Sequence, residues 1–172
     1  MSTEAVTLFF ALLSLLVVVG IVALLVDLVT PANLGIIDFV RPLSLELAAA
    51  IATTSMLGSL YLSEIANYSP CRLCWIQRYF MYPAAFLLIA AVFTKNQVLK
   101  WISFLLALCG LGVSSFHRYE QAAGHSGDFC DPLNPCSDVF VLEFGFVTIP
   151  TMAGIGFAGI LAMILVNSRK VA

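Results

Sequence analysis

Charge is scarce in this sequence. Asp, Glu, Lys and Arg together make up 10% of its 172 residues, against about 25% in soluble domains. That scarcity excludes an ordinary water-soluble domain. The 61% share of hydrophobic residues and the mean hydropathy of +1.02 place the chain in a membrane with little mass outside it. A formal net charge of −2, with no basic cluster or tail, gives no footing for nucleic acid. Internal repeats and low-complexity linkers are missing, so a single domain is expected. Met1 to Thr7 holds no Lys or Arg and lacks the basic region of a signal peptide. Leu8 to Val29 is therefore read as a retained transmembrane helix, long enough to cross a bilayer core of about 30 Å. Histidine is limited to His117 and His125, and no C-x-x-C-H occurs, which excludes the usual covalent haem attachment.

Four more apolar spans follow, at Leu47–Leu62, Trp75–Phe93, Leu99–Phe116 and Pro150–Val166. The first of these is rich in Ala, Gly, Ser and Thr, residues that let membrane helices approach closely. The expected fold class is an all-α polytopic membrane helix bundle. Thr148 suits a helix N-cap, with Pro150 just inside the start. Ser137–Val147 is apolar but too short to span, and is expected to be an amphipathic helix along the interface. Gly154, Gly156 and Gly159 fit a G-x-G-x-x-G pattern inside an apolar span with no preceding strand. They read as helix-packing positions rather than a dinucleotide site.

Basic residues set the orientation. Arg41, Lys95, Lys100, Arg169 and Lys170 fall on one side, and Arg72, Arg78 and Arg118 on the other. The C-terminus is expected in the cytoplasm and the N-terminus outside. Both close cysteine pairs then face the outside, where disulfides persist.

The chemistry lies in those pairs. Cys71-Arg72-Leu73-Cys74 stands at the mouth of the third span, with Ser69 and Pro70 as expected N-cap and first helical residue. Residues three apart share a helix face, and a helix N-terminus favours a thiolate. Arg78 follows one turn after Cys74 and can act on the same face, lowering the thiol pKa or holding an acceptor oxygen. Cys130 and Cys136 lie in a turn-rich loop, Asp128-Phe129-Cys130-Asp131-Pro132-Leu133-Asn134-Pro135-Cys136. Closing so short a loop contributes only roughly 2.5 kcal/mol in the chain-entropy model, so a labile, redox-active disulfide is favoured over a structural staple. A zinc site is the competing reading of two cysteine pairs, but the C-x5-C spacing suits it poorly, and no metal is expected. Cys109, mid-span, reads as a small buried hydrophobe, and His117 as a satisfied interfacial residue. Two close cysteine pairs beside apolar helices can pass electrons between thiols and a lipid-dissolved acceptor. Trp75, Tyr79 and Phe80 are candidate walls for its ring.

The stretch Pro70-Cys71-Arg72-Leu73-Cys74-Trp75-Ile76-Gln77-Arg78-Tyr79-Phe80-Met81-Tyr82-Pro83 resembles the disulfide bond formation protein B family (DsbB), in its BdbC-like branch. Pro135-Cys136-Ser137 and Gly145-Phe146-Val147-Thr148-Ile149-Pro150 carry the same resemblance, which covers roughly Leu47 to Val166. It implies a four-helix core over 47–166; the N-terminal transmembrane helix and loop over 1–46 are extra to that core, and 167–172 is expected as a cytoplasmic tail. It further implies a prokaryotic plasma-membrane enzyme that reoxidises an extracytoplasmic thioredoxin-like thiol oxidase, DsbA- or BdbD-like, and reduces quinone (ubiquinone or menaquinone). By the resemblance, Cys71 and Cys74 form the quinone-proximal pair, Cys74 contacts quinone, and Arg78 is the quinone-side arginine. Trp75 is a weaker candidate for the same pocket. Cys130 and Cys136 would be the partner-facing pair. The extra first span, the short Cys130–Cys136 spacing and the segment Phe116–Gln121 depart from the family pattern. His117 and Gln121 both stand near the family's polar residue at the end of the fourth span. Vitamin K epoxide reductase-like enzymes also use four membrane cysteines and quinone, but their C-x-x-C follows the loop cysteines instead of preceding them. A non-enzymatic metal-binding subunit is the other alternative.

Overall fold

The computed structural model describes residues 3–30, 34–124, 130–131 and 134–169. Lys170, His125, and Asp128, Phe129, Pro132 and Leu133 of the cysteine loop lie outside the described residues. Helix α1 covers Thr3–Val29. A short α2, Ile36–Val40, leads through a 3-10 turn at Arg41–Leu43 into α3, Ser44–Glu64. Helix α4 is Arg72–Thr94, α5 is Gln97–Ala123 and α6 is Ile149–Ser168. Among the described residues, five helical segments are long and apolar enough to cross a membrane, so the chain is an all-α polytopic bundle.

Helices α3, α4, α5 and α6 close a ring in which each packs on its two neighbours, and α1 leans on the outer side of α6 and on α2. Small residues make the ring tight. Ala48 and Ala52 of α3, Ala84 and Ala85 of α4, and Ala107 of α5 are all fully buried or nearly so. The Phe157 ring of α6 fills the space that a side chain at Gly110 would need. A Cβ at Gly156 would stand 2.9 Å from Ser55 Oγ, and one at Gly159 2.7 Å from Val17 of α1. These glycines are contact points between helices, as the sequence suggests. The outward faces carry exposed Leu12, Val22, Phe86 and Leu105, the surface expected against lipid.

Capping fixes the helix ends. Asn96 accepts the Val98 N–H at 2.8 Å at the start of α5, and Gly124 closes the helix in the left-handed region at φ 60°. At the end of the bundle away from the cysteines, Lys100 Nζ donates to Asn167 Oδ1 at 3.1 Å. Asn167 in turn donates to Ser44 Oγ at 3.2 Å, joining α5, α6 and α3 where a lone buried cation would be costly.

Two expectations fail here. Ser137–Val147 is not a helix. Phe144 and Gly145 adopt positive φ of 53° and 77°. The resulting turn is closed by paired bonds between Glu143 and Val147 at 3.0 and 2.9 Å. Two successive left-handed residues suit a tight turn and end any helix. Cys109 is also exposed rather than buried. It lies on the outer side of α5, while Ser103, Ala107, Gly110, Ser114 and His117 form that helix's buried stripe.

Candidate functional site

The cysteine pairs meet where α4 begins. Its N-cap is Cys71, not Ser69, and Pro70 precedes the helix instead of opening it. Asn134 Nδ2 donates to the Pro70 carbonyl at 3.2 Å, and Cys71 itself is extended, at φ −67° and ψ 171°. The capping acceptor is sulfur: Cys74 N–H points at Cys71 Sγ at 3.4 Å. The two sulfurs are 2.9 Å apart, and both are free thiols. Cys130 and Cys136 are joined as a disulfide and pack with Cys71 and Leu73 in one buried cluster. All four predicted redox cysteines are therefore brought together at one end of the bundle.

His117 links the pairs, a role the sequence did not announce. It is 2% exposed. Its Nε2 lies 3.1 Å from the Cys136 carbonyl oxygen and 3.6 Å from Cys71 Sγ. A carbonyl only accepts, so Nε2 carries the proton. Nδ1 then accepts from the Gln77 side-chain amide at 3.0 Å. Gln121 stands farther out and donates to the Asp138 carbonyl at 3.0 Å. Cys71 lies just ahead of the span and its thiol is held well below the usual thiol range. The largest cause is the hydrogen bond from the Cys74 thiol. Burial opposes it, and the His117 N–H adds a further lowering. The His117 N–H and the Cys74 backbone N–H both face Cys71 Sγ, an arrangement that favours a thiolate there.

Arg78 is fixed on the other side. Its Nε and Nη2 donate to Ser59 Oγ and to the Ser59 carbonyl, each at 2.9 Å, and its Cζ lies 5.1 Å from the centre of a Trp75 ring. No bond joins it to Cys74 among the described contacts. The two share a cavity instead. An apolar cavity of about 630 Å³ runs between α1, α3, α4 and α6, with Cys74, Gln77, Arg78 and Ser59 at its polar end. A second, of about 20 Å³, lies among Cys71, Cys74, His117, Gln121 and Pro135. Cys74 borders both; Cys71 borders only the small one. Trp75, Tyr79 and Phe80, the expected ring walls, do not line the large cavity. Tyr79 is exposed and Phe80 packs against the core, and Met81 and Tyr82 take their place on the wall.

This geometry suits two chemistries. Cys71, Cys74 and His117 offer ligand atoms within 4.8 Å of one another, a set that could hold a soft metal ion. A four-thiol site is not formed, because Cys130 and Cys136 are spent on each other. The same residues also form a dithiol–disulfide pair beside an apolar cavity with a cation at its polar end. That cavity fits an amphiphile with an oxygen-bearing head and an apolar tail.

The sequence model of the family described as "Disulfide bond formation protein DsbB" matches residues 41–167. The chain is similar to "Disulfide bond formation protein C" of Bacillus subtilis (strain 168), with 41% identity over 123 residues, 70% of this chain and 89% of that protein. It is also similar to "Probable disulfide formation protein C 1" of Bacillus anthracis, with 43% identity over 113 residues, 64% of this chain and 78% of that protein. "Probable disulfide formation protein" of Oceanobacillus iheyensis is 35% identical over 122 residues, 69% of this chain and 84% of its own length. No solved structure matches.

Proposed function

The chain belongs to the DsbB family of disulfide bond formation proteins, multi-pass membrane thiol–disulfide oxidoreductases, and from that premise we propose that it oxidises a secreted thiol oxidase and reduces quinone. One observation carries this reading. Cys74 borders the apolar cavity with Arg78, while Cys71, 2.9 Å from it, packs against the Cys130–Cys136 loop. The inner pair would thus stand between the loop disulfide, as the port for a protein partner, and an apolar cavity suited to a lipid-soluble acceptor.

The relay runs as follows. A thiolate of an extracytoplasmic thioredoxin-like partner attacks Cys130, forming a mixed disulfide and freeing Cys136. Cys136 attacks the Cys71–Cys74 disulfide at Cys71, and Cys74 leaves as a thiolate. The partner's second thiolate resolves the mixed disulfide and departs oxidised. Cys130 then reforms its bond with Cys136, expelling Cys71, whose thiolate is stabilised by the His117 N–H and the Cys74 thiol. Two electrons and two protons leave the Cys71–Cys74 dithiol for quinone, ubiquinone or menaquinone, which supplies the oxidising power. Arg78 would hold an oxygen of the quinone head beside Cys74, and Ser59 keeps the guanidinium aimed.

In the proposed topology the redox cysteines lie on the outer face of a prokaryotic plasma membrane, with the N-terminus outside and the C-terminus in the cytoplasm. The core is 47–166, with 1–46 as an added helix and loop and 167–172 as a tail.

The test is anaerobic mixing of the fully reduced protein with quinone while quinol absorbance is followed. Wild type should yield quinol. Cys74→Ser should yield none, yet still exchange disulfides with the partner through the loop pair. Full turnover by Cys74→Ser sinks the assignment. The three-ligand cluster favours a second reading, zinc held by Cys71, Cys74 and His117; native mass spectrometry showing stoichiometric zinc in the active protein would select it.

A further inference from the structure

Helix α1 is additional to the four-helix ring, and its placement is specific. It packs on α6 and α2, while the large cavity separates much of it from α3. Leu13, Val17, Gly20 and Leu24 of α1 all line that cavity. Near the cysteine end the gap narrows, where a Cβ on Gly58 of α3 would stand 2.9 Å from the Phe10 ring. Polar bonds anchor α1 at both ends. Thr7 Oγ1 donates to Glu143 Oε1 at 2.9 Å, and Asp27 Oδ2 accepts the Ile37 N–H at 2.8 Å. Both Thr7 and Asp27 are buried. Polar groups inside a membrane are costly unless paired, so these bonds fix α1 in place as a wall.

The cavity is apolar along most of its lining and polar at one end, as a tailed amphiphile requires. Arg78 is the one charged side chain among the described residues that line it, and it stands with Cys74 at one end. From there the space continues past α1 to Ile36 and Val40 near the opposite end of the bundle. Phe10 to Leu24, both on its wall, spans about 21 Å at 1.5 Å per residue. The volume of about 630 Å³ lies in the range of roughly 300–1,000 Å³ typical of small-molecule sites.

We propose that α1 and the ring form a half-open groove for the isoprenoid tail of the quinone, so that α1 makes the protein selective for long-tailed over tail-less quinones. This rests on the quinone reading above and adds a tail site to it. Continuity with Cys74 and Arg78 selects this occupant over a lipid acyl chain, whose headgroup has no reason to sit against a redox thiol.

Gly20 supplies the test, since a Cβ there meets nothing within 4 Å. The full-length Gly20→Phe and the smaller Gly20→Leu proteins are compared with wild type and with Val22→Phe, a change on an exposed position of α1 outside the cavity. Two quantities are read: menaquinone retained per chain through purification, by solvent extraction, and KM for menaquinone against KM for tail-less menadione. Gly20→Phe should lower retention and raise the menaquinone KM about tenfold, the scale of one overpacked side chain. Gly20→Leu should fall between, Val22→Phe should match wild type, and the menadione KM should not move. Equal effects on both quinones, or none, overturn the tail groove. Loss of co-purifying phospholipid with unchanged quinone constants overturns it in favour of an acyl chain. Wild type that reduces neither quinone removes the quinone reading itself, and the groove with it.

Discussion

His117 stands 3.6 Å from Cys71 Sγ through the same nitrogen that donates to the Cys136 carbonyl at 3.1 Å. One N–H therefore faces both the sulfur that is to become a thiolate and the backbone of the loop that is to exchange with it. The Gln77 amide, donating to Nδ1 at 3.0 Å, holds the tautomer that makes this possible.

Replacing His117 should change the titration of Cys71 before it changes the fold. The Cys71 pKa is lowered first by the Cys74 thiol and then by His117, against burial. A group with a depressed pKa is charged above that pKa and loses its charge as pH falls. His117→Ala removes one lowering cause, so the pH profile of Cys71 alkylation in the reduced inner pair should move to higher pH. Gln77→Ala should move it less, because only the tautomer support is lost. A profile unmoved in folded His117→Ala protein would reduce His117 to a packing residue.

Arg78→Met keeps the stem and removes the cation. One lost charge-assisted hydrogen bond is worth about 1.5–3 kcal/mol, so the quinone KM should rise, or reduction slow, by an order of magnitude or more. The change also breaks both bonds to Ser59 on α3, so some thermal stability should go with it. Ser59→Ala separates the two effects. It removes the hydroxyl but leaves the carbonyl acceptor, and should cost only a fraction of the activity. Unchanged quinone dependence in Arg78→Met would remove Arg78 from the site.

Cys109 should be dispensable, for a different reason than its mid-span position suggests. It is exposed on the outer side of α5, so Cys109→Ala leaves no internal cavity, and the melting temperature should stay close to that of wild type. Quinone reduction should be intact. A folded Cys109→Ala protein without turnover would mean that the relay includes a fifth cysteine.

Long apolar runs made the five spans legible, because a bilayer demands a fixed length of apolar helix. The ends were less legible. Sulfur is not among the usual N-cap acceptors, so Ser69 hid the cap made by Cys71. The apolar residues of Ser137–Val147 suggested a helix, whereas the backbone turns at Phe144 and Gly145. The sequence hides the role of His117, because its partners Cys71 and Cys136 are 46 and 19 residues away. A signal did exist. Ser103, Ala107, Gly110 and Ser114 recur at helical spacing, and His117 continues that stripe of small, inward-facing residues. The same stripe puts Cys109 outside it. Hydropathy revealed α1 as a span but carried no sign that Gly20 borders the cavity shared by Cys74 and Arg78.

The loop disulfide should be the entry port for the protein partner. Cys130 and Cys136 are bonded to each other and lie beside Cys71, so electrons arriving there have a short path inward. Cys136 is the more enclosed, at 1% exposure against 9% for Cys130, and its carbonyl is held by His117. The more accessible sulfur is the one a bulky partner reaches first. Cys136→Ala leaves Cys130 with no loop cysteine to pass the partner onward, so a partner lacking its own resolving thiol should accumulate as a mixed disulfide through Cys130. Cys130→Ala should abolish that trapped species. Non-reducing gels followed by peptide mapping distinguish these outcomes. Trapping through Cys71 in both variants would show that the partner enters at the inner pair, and would reverse the proposed electron order.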